Sequence, residues 1–192
     1  MTESSPARDA AIRAMLPLAG TEGWNWTTIR AGLAAAGEDP ALAESWFPTG
    51  ATGAVAGWID LANRDMAAAA AAEDVAALRV PARIRRVVEL RLAATAPHKP
   101  ALRRALSLLA LPWNAPVALR TTAATVDAMW HAAGDSSADF SWYTRRATLA
   151  AVYGATLAFW TRDDDPDIAA AMAFLDRRLA GVARLGKRRR AA

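Results

Sequence analysis

The stretch DAMWHAAGDSSADFSWYTRR, Asp127 to Arg146, constrains the fold most, because it is two helical runs hinged on a breaker. Before the breaker Leu119, Ala123, Val126 and Trp130 recur at three and four, the signature of a helix face. After it Trp142, Leu149, Tyr153 and Trp160 repeat at four and seven. The breaker itself is Ala133-Gly134-Asp135-Ser136-Ser137. Gly134 supplies a helix C-cap, and Asp135 and the serines supply the turn and the next N-cap. The stretch therefore predicts a helix-loop-helix corner carrying aromatics and two adjacent arginines, Arg145 and Arg146.

The rest of the chain reads the same way. Its 54% hydrophobic content is largely alanine, a helix former that buries little area. Strand-like alternation is missing, so the predicted class is all-α. A first helix is expected over 10–19 with Ile12, Met15, Leu16 and Leu18 inward, ended early by Pro17. Thr27 or Thr28 caps a second helix that stops at Gly37. Asp39 caps a third, Pro40 to Ser45. Residues 51–78 form a long helix with Val55, Trp58, Ile59, Ala62 and Met66 on one face, followed by six alanines. Pro81 opens a basic helix with Arg83, Arg85, Arg86 and Arg91. This charge run is either a solvated face or a contact for an anionic surface. Leu102 to Leu111 is a short helix that is buried or lines a cavity, and Pro112 to Pro116 is a rigid turn. The last helix, from about Pro166, carries Ile168, Met172, Leu175, Leu179 and Val182 as one stripe, and Lys187-Arg188-Arg189-Arg190 follows it.

The helices before Gly50 resemble the helix-turn-helix of TetR-like regulators. A DNA-reading helix needs cations against phosphates. This one has none, and it carries Asp39 and Glu44, so no nucleic acid is expected as partner. The charge is also split along the chain. Residues 1–80 hold five arginines against ten carboxylates, whereas residues 81–192 hold eighteen cations against nine. The two parts face different partners.

Catalytic chemistry finds little to work with. The absence of cysteine excludes thiolate metal sites and cysteine nucleophiles. His98 and His131 have no metal-ligand spacing. His131 is close in sequence to Ser136 and Ser137 without the order a triad needs, and reads as a helix-end residue near Asp127 or Asp135. Asp163-Asp164-Asp165 before Pro166 reads as a helix start rather than a metal site. No apolar run nears the roughly 20 residues of a membrane span, and the N-terminus lacks a secretory pattern. A non-enzymatic, soluble protein without a metal or resident cofactor is expected.

The motif Trp130-His131-x-Ala133-Gly134-Asp135-x-Ser137-x-Asp139-Phe140-x-Trp142-Tyr143-Thr144-Arg145-Arg146-Ala147 resembles the signature of the ubiquinone (coenzyme Q) biosynthesis accessory family, the ninth-named of the Coq proteins. The resemblance extends upstream through Ala105 to Pro116 and downstream through Tyr153 to Phe174-Leu175-x-x-Arg178, about residues 80 to 180. Leu102 replaces a tryptophan of the family pattern. The resemblance implies a TetR-like fold: a degenerate helix-turn-helix module (1–50), a linking helix (51–80) and a helical lipid-binding and partner-binding domain (81–192). It implies a bound phospholipid or isoprenoid quinone precursor, with Leu106, Leu109, Tyr153, Leu157 and Trp160 as lipid contacts. It implies the di-iron demethoxyubiquinone hydroxylase as partner, met by Met129, Trp130, Asp135, Trp142, Tyr143 and Arg146. Trp130 and Trp142 could equally close the corner's own core. By analogy the last two helices make a homodimer. Lys187, Arg188, Arg189 and Arg190 are the expected membrane contact, placing the protein in a bacterial cytoplasm, peripheral to the inner membrane. The alternative function is a TetR-like regulator that responds to an apolar ligand.

Overall fold

The computed structural model describes residues 5–134, 141–162 and 165–191, and for residues 76, 141, 142, 183 and 185–191 it describes the backbone alone. Every regular element among the described residues is helical: α1 (Pro6–Thr21), α2 (Trp26–Ala35), α3 (Ala43–Trp46), α4 (Ala51–Ala72), α5 (Val80–Thr95), α6 (Lys99–Leu109), α7 (Ala115–Ala132), α8 (Ser141–Trp160) and α9 (Ile168–Ala191). Short 3-10 turns at Pro40–Leu42, Val75–Ala77, Ala96–His98 and Pro112–Asn114 connect several of them. The all-α expectation holds.

Helix ends follow local hydrogen bonding more than the breakers alone indicate. Ser5 caps α1 by accepting from the Arg8 amide at 3.2 Å. The helix then runs straight through Pro17. Pro17 is exposed, so its missing N–H lies on the solvent side, where the lost bond costs least. The cap of α2 is Asn25, not a threonine: its Oδ1 accepts from the Thr28 amide at 2.9 Å. The Thr28 hydroxyl instead donates to the Gly23 carbonyl at 2.8 Å. Asp39 does accept from the Ala41 amide at 2.9 Å, but the turn it caps is 3-10 before α3 begins. α9 starts later than expected, after Pro166, with Asp167 accepting from the Ala170 amide at 2.7 Å. Asp165 sits at φ +48°.

The chain divides into two compact units. The first is Met1–Arg64 with Thr95–Thr122. In it α1 packs on α2 and α6. Gly32 lets α1 and α2 approach: a Cβ there would lie 2.9 Å from the Ala11 carbonyl oxygen and collide with Met15 Cγ. Trp24 stacks on Trp58 at 5.5 Å and donates its indole N–H to the Ala101 carbonyl at 3.0 Å. Arg64 grips Asp9 through two 2.7 Å bonds, tying α4 to α1. The sequence reading grouped α6 with the C-terminal helices. Its buried face, Ala101, Leu102 and Ala105, lies in this first unit instead.

The second unit is Asp65–Ala94 with Ala123–Ala192. Its core combines Val87, Val88 and Leu92 of α5, Val126 and Met129 of α7, Leu149, Tyr153 and Trp160 of α8, and Met172 and Leu175 of α9. Two expectations need correction here. Along α7, whose first residues to Thr122 belong to the first unit, Leu119 and Ala123 are exposed, and the helix buries Thr121 and Thr125 instead. Thr121 meets its own helix, donating to the Val117 carbonyl at 2.9 Å, which removes the cost of burying a hydroxyl. Arg91, read as part of a basic surface, is 5% exposed. The remaining basic face is partnered: Arg86 binds Glu73 at 2.7 and 2.8 Å and Glu89 at 2.9 Å, and Arg85 binds Asp176 at 3.0 Å. Among the described residues no helix is long and apolar enough to cross a membrane.

Candidate functional site

The corner forms where α7 ends. Gly134 takes φ +75°, a conformation that glycine adopts without a Cβ penalty, and its amide bonds the His131 carbonyl at 2.9 Å. Arg83 of α5 donates to the Ala133 carbonyl at 3.2 Å, so the end of α7 is anchored to a second helix.

Between α7 and α8 the corner is held by charge. Arg146 reaches one oxygen of Asp127 through Nε at 2.9 Å and Nη2 at 2.8 Å. The other oxygen of Asp127 lies 3.5 Å from His131 Nδ1, which also meets the Asp127 carbonyl at 3.1 Å. His131 therefore fills the helix-end role near Asp127 that its spacing indicates. Arg145 lies over the Trp130 ring at 5.7 Å. The arginines thus clamp the corner from two sides, one by ion pairing and one by the ring quadrupole.

Burial sorts the expected partner residues. Met129 is fully buried and Trp130 is 8% exposed, so both are core under the corner. The Trp130 indole nitrogen is buried without a hydrogen-bond acceptor among the described residues. The Arg146 side chain is 11% exposed and acts in the clamp. Tyr143 is 72% exposed, the one expected partner residue among the described side chains that lies open to solvent. Asp135 and the Trp142 side chain lie outside the described residues.

The expected lipid contacts divide between the two units. Tyr153, Leu157 and Trp160 share one side of α8 in the second unit, where Tyr153 and Trp160 are buried and Leu157 is half-buried. Leu106 and Leu109 are half-buried on α6 in the first unit. Burial pushes the Tyr153 phenol above its usual range, opposed by the nearby Arg91, which also hydrogen-bonds it. This buried Arg-Tyr pair was not legible in the sequence, where Arg91 looked like one cation of a surface run. Also missed was an open depression of about 380 Å³ beside the corner, lined by Ala67, Ala70, Ala71, Asp74, Val75, His131, Ala132 and Gly134. The run of alanines in α4 was its only signal. Lys187 to Arg190 fall on α9, with side chains outside the described residues. Among the described residues no cluster of His, Asp or Glu could hold a metal ion.

Residues 115–186, which include the clamp and Tyr143, match the COQ9 family model. The ubiquinone biosynthesis protein COQ9, mitochondrial, of Rattus norvegicus is 44% identical over 103 residues, 54% of this chain and 33% of that one. The protein of the same name from Homo sapiens is also 44% identical over 103 residues, 54% of this chain and 32% of its own. That of Schizosaccharomyces pombe is 35% identical over 74 residues, 38% and 30% of the two chains. The chain thus spans about a third of the length of the curated relatives it matches. In structure it is similar to a TetR transcriptional regulator from Nitrosomonas europaea ATCC 19718, with a TM-score of 0.72, 23% identity, and 93% and 99% of the chains covered. The COQ9 match therefore lies in a TetR-like fold.

Proposed function

We propose that the protein is a non-catalytic, lipid-binding accessory protein of ubiquinone biosynthesis. It binds a quinone intermediate with an isoprenoid tail at the membrane surface and presents it to a di-iron demethoxyubiquinone hydroxylase. The observation that carries this reading is the coincidence of the COQ9 match with the clamped corner, where Tyr143 is exposed on a rigid, ion-paired base. Tyrosine anchors on ordered bases are characteristic of binding hot spots. The cargo part is tested by native mass spectrometry and lipid extraction of the purified chain. An isoprenoid quinone or phospholipid should co-purify, and a lipid-free protein that takes up no quinone precursor would refute it. The partner part is tested by hydroxylase pull-down with Tyr143→Asp.

A TetR-like regulator is the second reading, favoured by the shared fold. The helix-turn-helix argues against it. Arg30 of α2 pairs with Glu44 of α3 at 3.0 Å and lies over Trp26 at 5.7 Å, so this cation is already engaged. A gel-shift assay at low salt separates the readings: a salt-dependent DNA complex would support the regulator.

A further inference from the structure

We propose that the exposed side of α9 from Arg177 to Arg184 is a docking surface for an acidic peptide segment of a protein partner, gripped by guanidiniums that a phenyl stack holds in place. Phe159 of α8 and Phe174 of α9 are both half-buried and stack face to face, with ring centres 4.7 Å apart and planes 8° from parallel. Arg178 lies over the Phe174 ring at 4.6 Å and Arg177 at 5.8 Å, so one ring fixes where both guanidiniums stand. Helix geometry accounts for this: side chains three and four residues on lean back over the turn that carries the ring. The ring quadrupole holds a cation without using its N–H donors. Both arginines are exposed, and neither is paired with a carboxylate among the described residues. Arg184 continues the same side, seven residues on from Arg177, about 10 Å along the axis. Its Nε donates to the Ala180 carbonyl at 3.3 Å, a bond that leaves its charge in place. Gly181 stands between them with open space above it, since a Cβ there would meet nothing within 4 Å.

Charge and shape choose the occupant. α8 contains no acidic residue, and α9 has only Asp176, which Arg85 holds at 3.0 Å. The arginines therefore lack a counter-charge on their own helices. A second copy setting the same face against this one would be repelled. A nucleic acid would find nowhere to stack its bases, because Phe159 and Phe174 cover each other and Arg178 lies over Phe174. A lipid surface takes up apolar side chains, and Val182, at 39%, is the one exposed large apolar group among the described residues of α9. A guanidinium pinned on a ring instead presents a fixed planar fork, which suits the two oxygens of a carboxylate. Carboxylates seven residues apart on a helical segment are spaced to meet Arg177 and Arg184 together. The inference goes beyond the function above, since it needs neither a quinone nor the hydroxylase.

The absence of cysteine makes a site-specific test direct. Gly181→Cys, at a position with room for a side chain, is labelled with an environment-sensitive fluorophore in the full chain. Ala35→Cys, exposed on α2, serves as control. The probe is a synthetic helical peptide with glutamates at four- and seven-residue spacing. It should shift the label at 181 in a saturable titration and leave the label at 35 unchanged. Fluorescence anisotropy of the fluorescein-labelled peptide then compares variants of the unlabelled chain. Arg177→Glu with Arg178→Glu should weaken binding about tenfold or more, as loss of a charge-assisted pair does. Arg177→Lys with Arg178→Lys keeps the charge but not the fork, and should weaken binding at least about threefold. Arg79→Glu with Arg120→Glu, also exposed, makes the same change in net charge and should leave the affinity within about twofold. All these sites are on the surface, so the variants should keep their circular dichroism. The proposal is overturned by no peptide binding, by lysine variants that bind as tightly as the parent, or by the control pair losing as much as the reversal at 177 and 178. It is overturned equally if the label at 181 responds to vesicles of equimolar phosphatidylcholine and phosphatidylglycerol but not to the peptide. None of these results bears on whether a quinone co-purifies or the hydroxylase is pulled down, so a failure here is separable from a failure of the proposed function.

Discussion

Tyr143 and Trp130 belong to the same corner but should fail in opposite ways when replaced. An aromatic side chain carries about 150–250 Å² of burial when fully enclosed. Tyr143 is 72% exposed, so truncation removes only about 50 Å² of contact, worth about 1 kcal/mol at ~25 cal/mol per Å². Trp130 is 8% exposed, and Trp130→Ala should cost about 3–5 kcal/mol, as aromatic-to-alanine changes in cores do. With about 2–4 °C of melting temperature per kcal/mol at this chain length, Tyr143→Asp should melt within about 4 °C of the parent. Trp130→Ala should lose about 6–20 °C on the same scale. Hydroxylase binding should reverse the order of directness. Tyr143→Asp should lose at least about 2 kcal/mol, near thirtyfold in Kd, while its fold remains intact. Thermal melting followed by circular dichroism, with affinity from a titration against the hydroxylase, measures both. The reasoning is refuted if Tyr143→Asp melts as low as Trp130→Ala, or binds as tightly as the parent while folded.

Other consequences follow from the packing. Gly32→Ala should destabilise by about 1–3 kcal/mol in denaturant unfolding, because the new methyl meets the Ala11 carbonyl, which cannot move without its helix; a neutral outcome would mean that α1 and α2 are not in close contact. The hydrogen bonds from Arg64 hold the Asp9 carboxyl below the usual carboxylate range. The pair therefore stabilises the fold above the ordinary Asp pKa, and that stability is lost as the pH falls through the lowered folded value. Asp9→Asn should accordingly flatten the acid limb of the stability profile, and an unchanged slope would contradict the pairing. Tyr153→Phe removes a phenol that Arg91 meets inside the second unit, and should cost about 1–3 kcal/mol in urea unfolding despite the smaller side chain being more apolar. A stabilised variant would show that the pair contributes nothing.

The sequence alone determined the helices, because periodicity and caps are local: each apolar face is written at three and four, and Gly134 breaks α7 where its φ requires it. It also carried the resemblance, since the corner motif is an ordered run of rare residue types within the COQ9 match. Tertiary structure decided which helix each face meets. Ala101 and Ala105 read as filler, yet they let α6 lie against α1, and nothing local names that partner. Arg91 and Arg85 sit in one basic run of α5, but only the first is buried, because α5 turns that side toward Tyr153 of α8. Leu119 and Trp130 fit one periodic stripe, and the stripe ends between them as the neighbours that cover Trp130 give out. Burial depends on contacts between residues far apart in the chain, and a pattern confined to one helix cannot contain it.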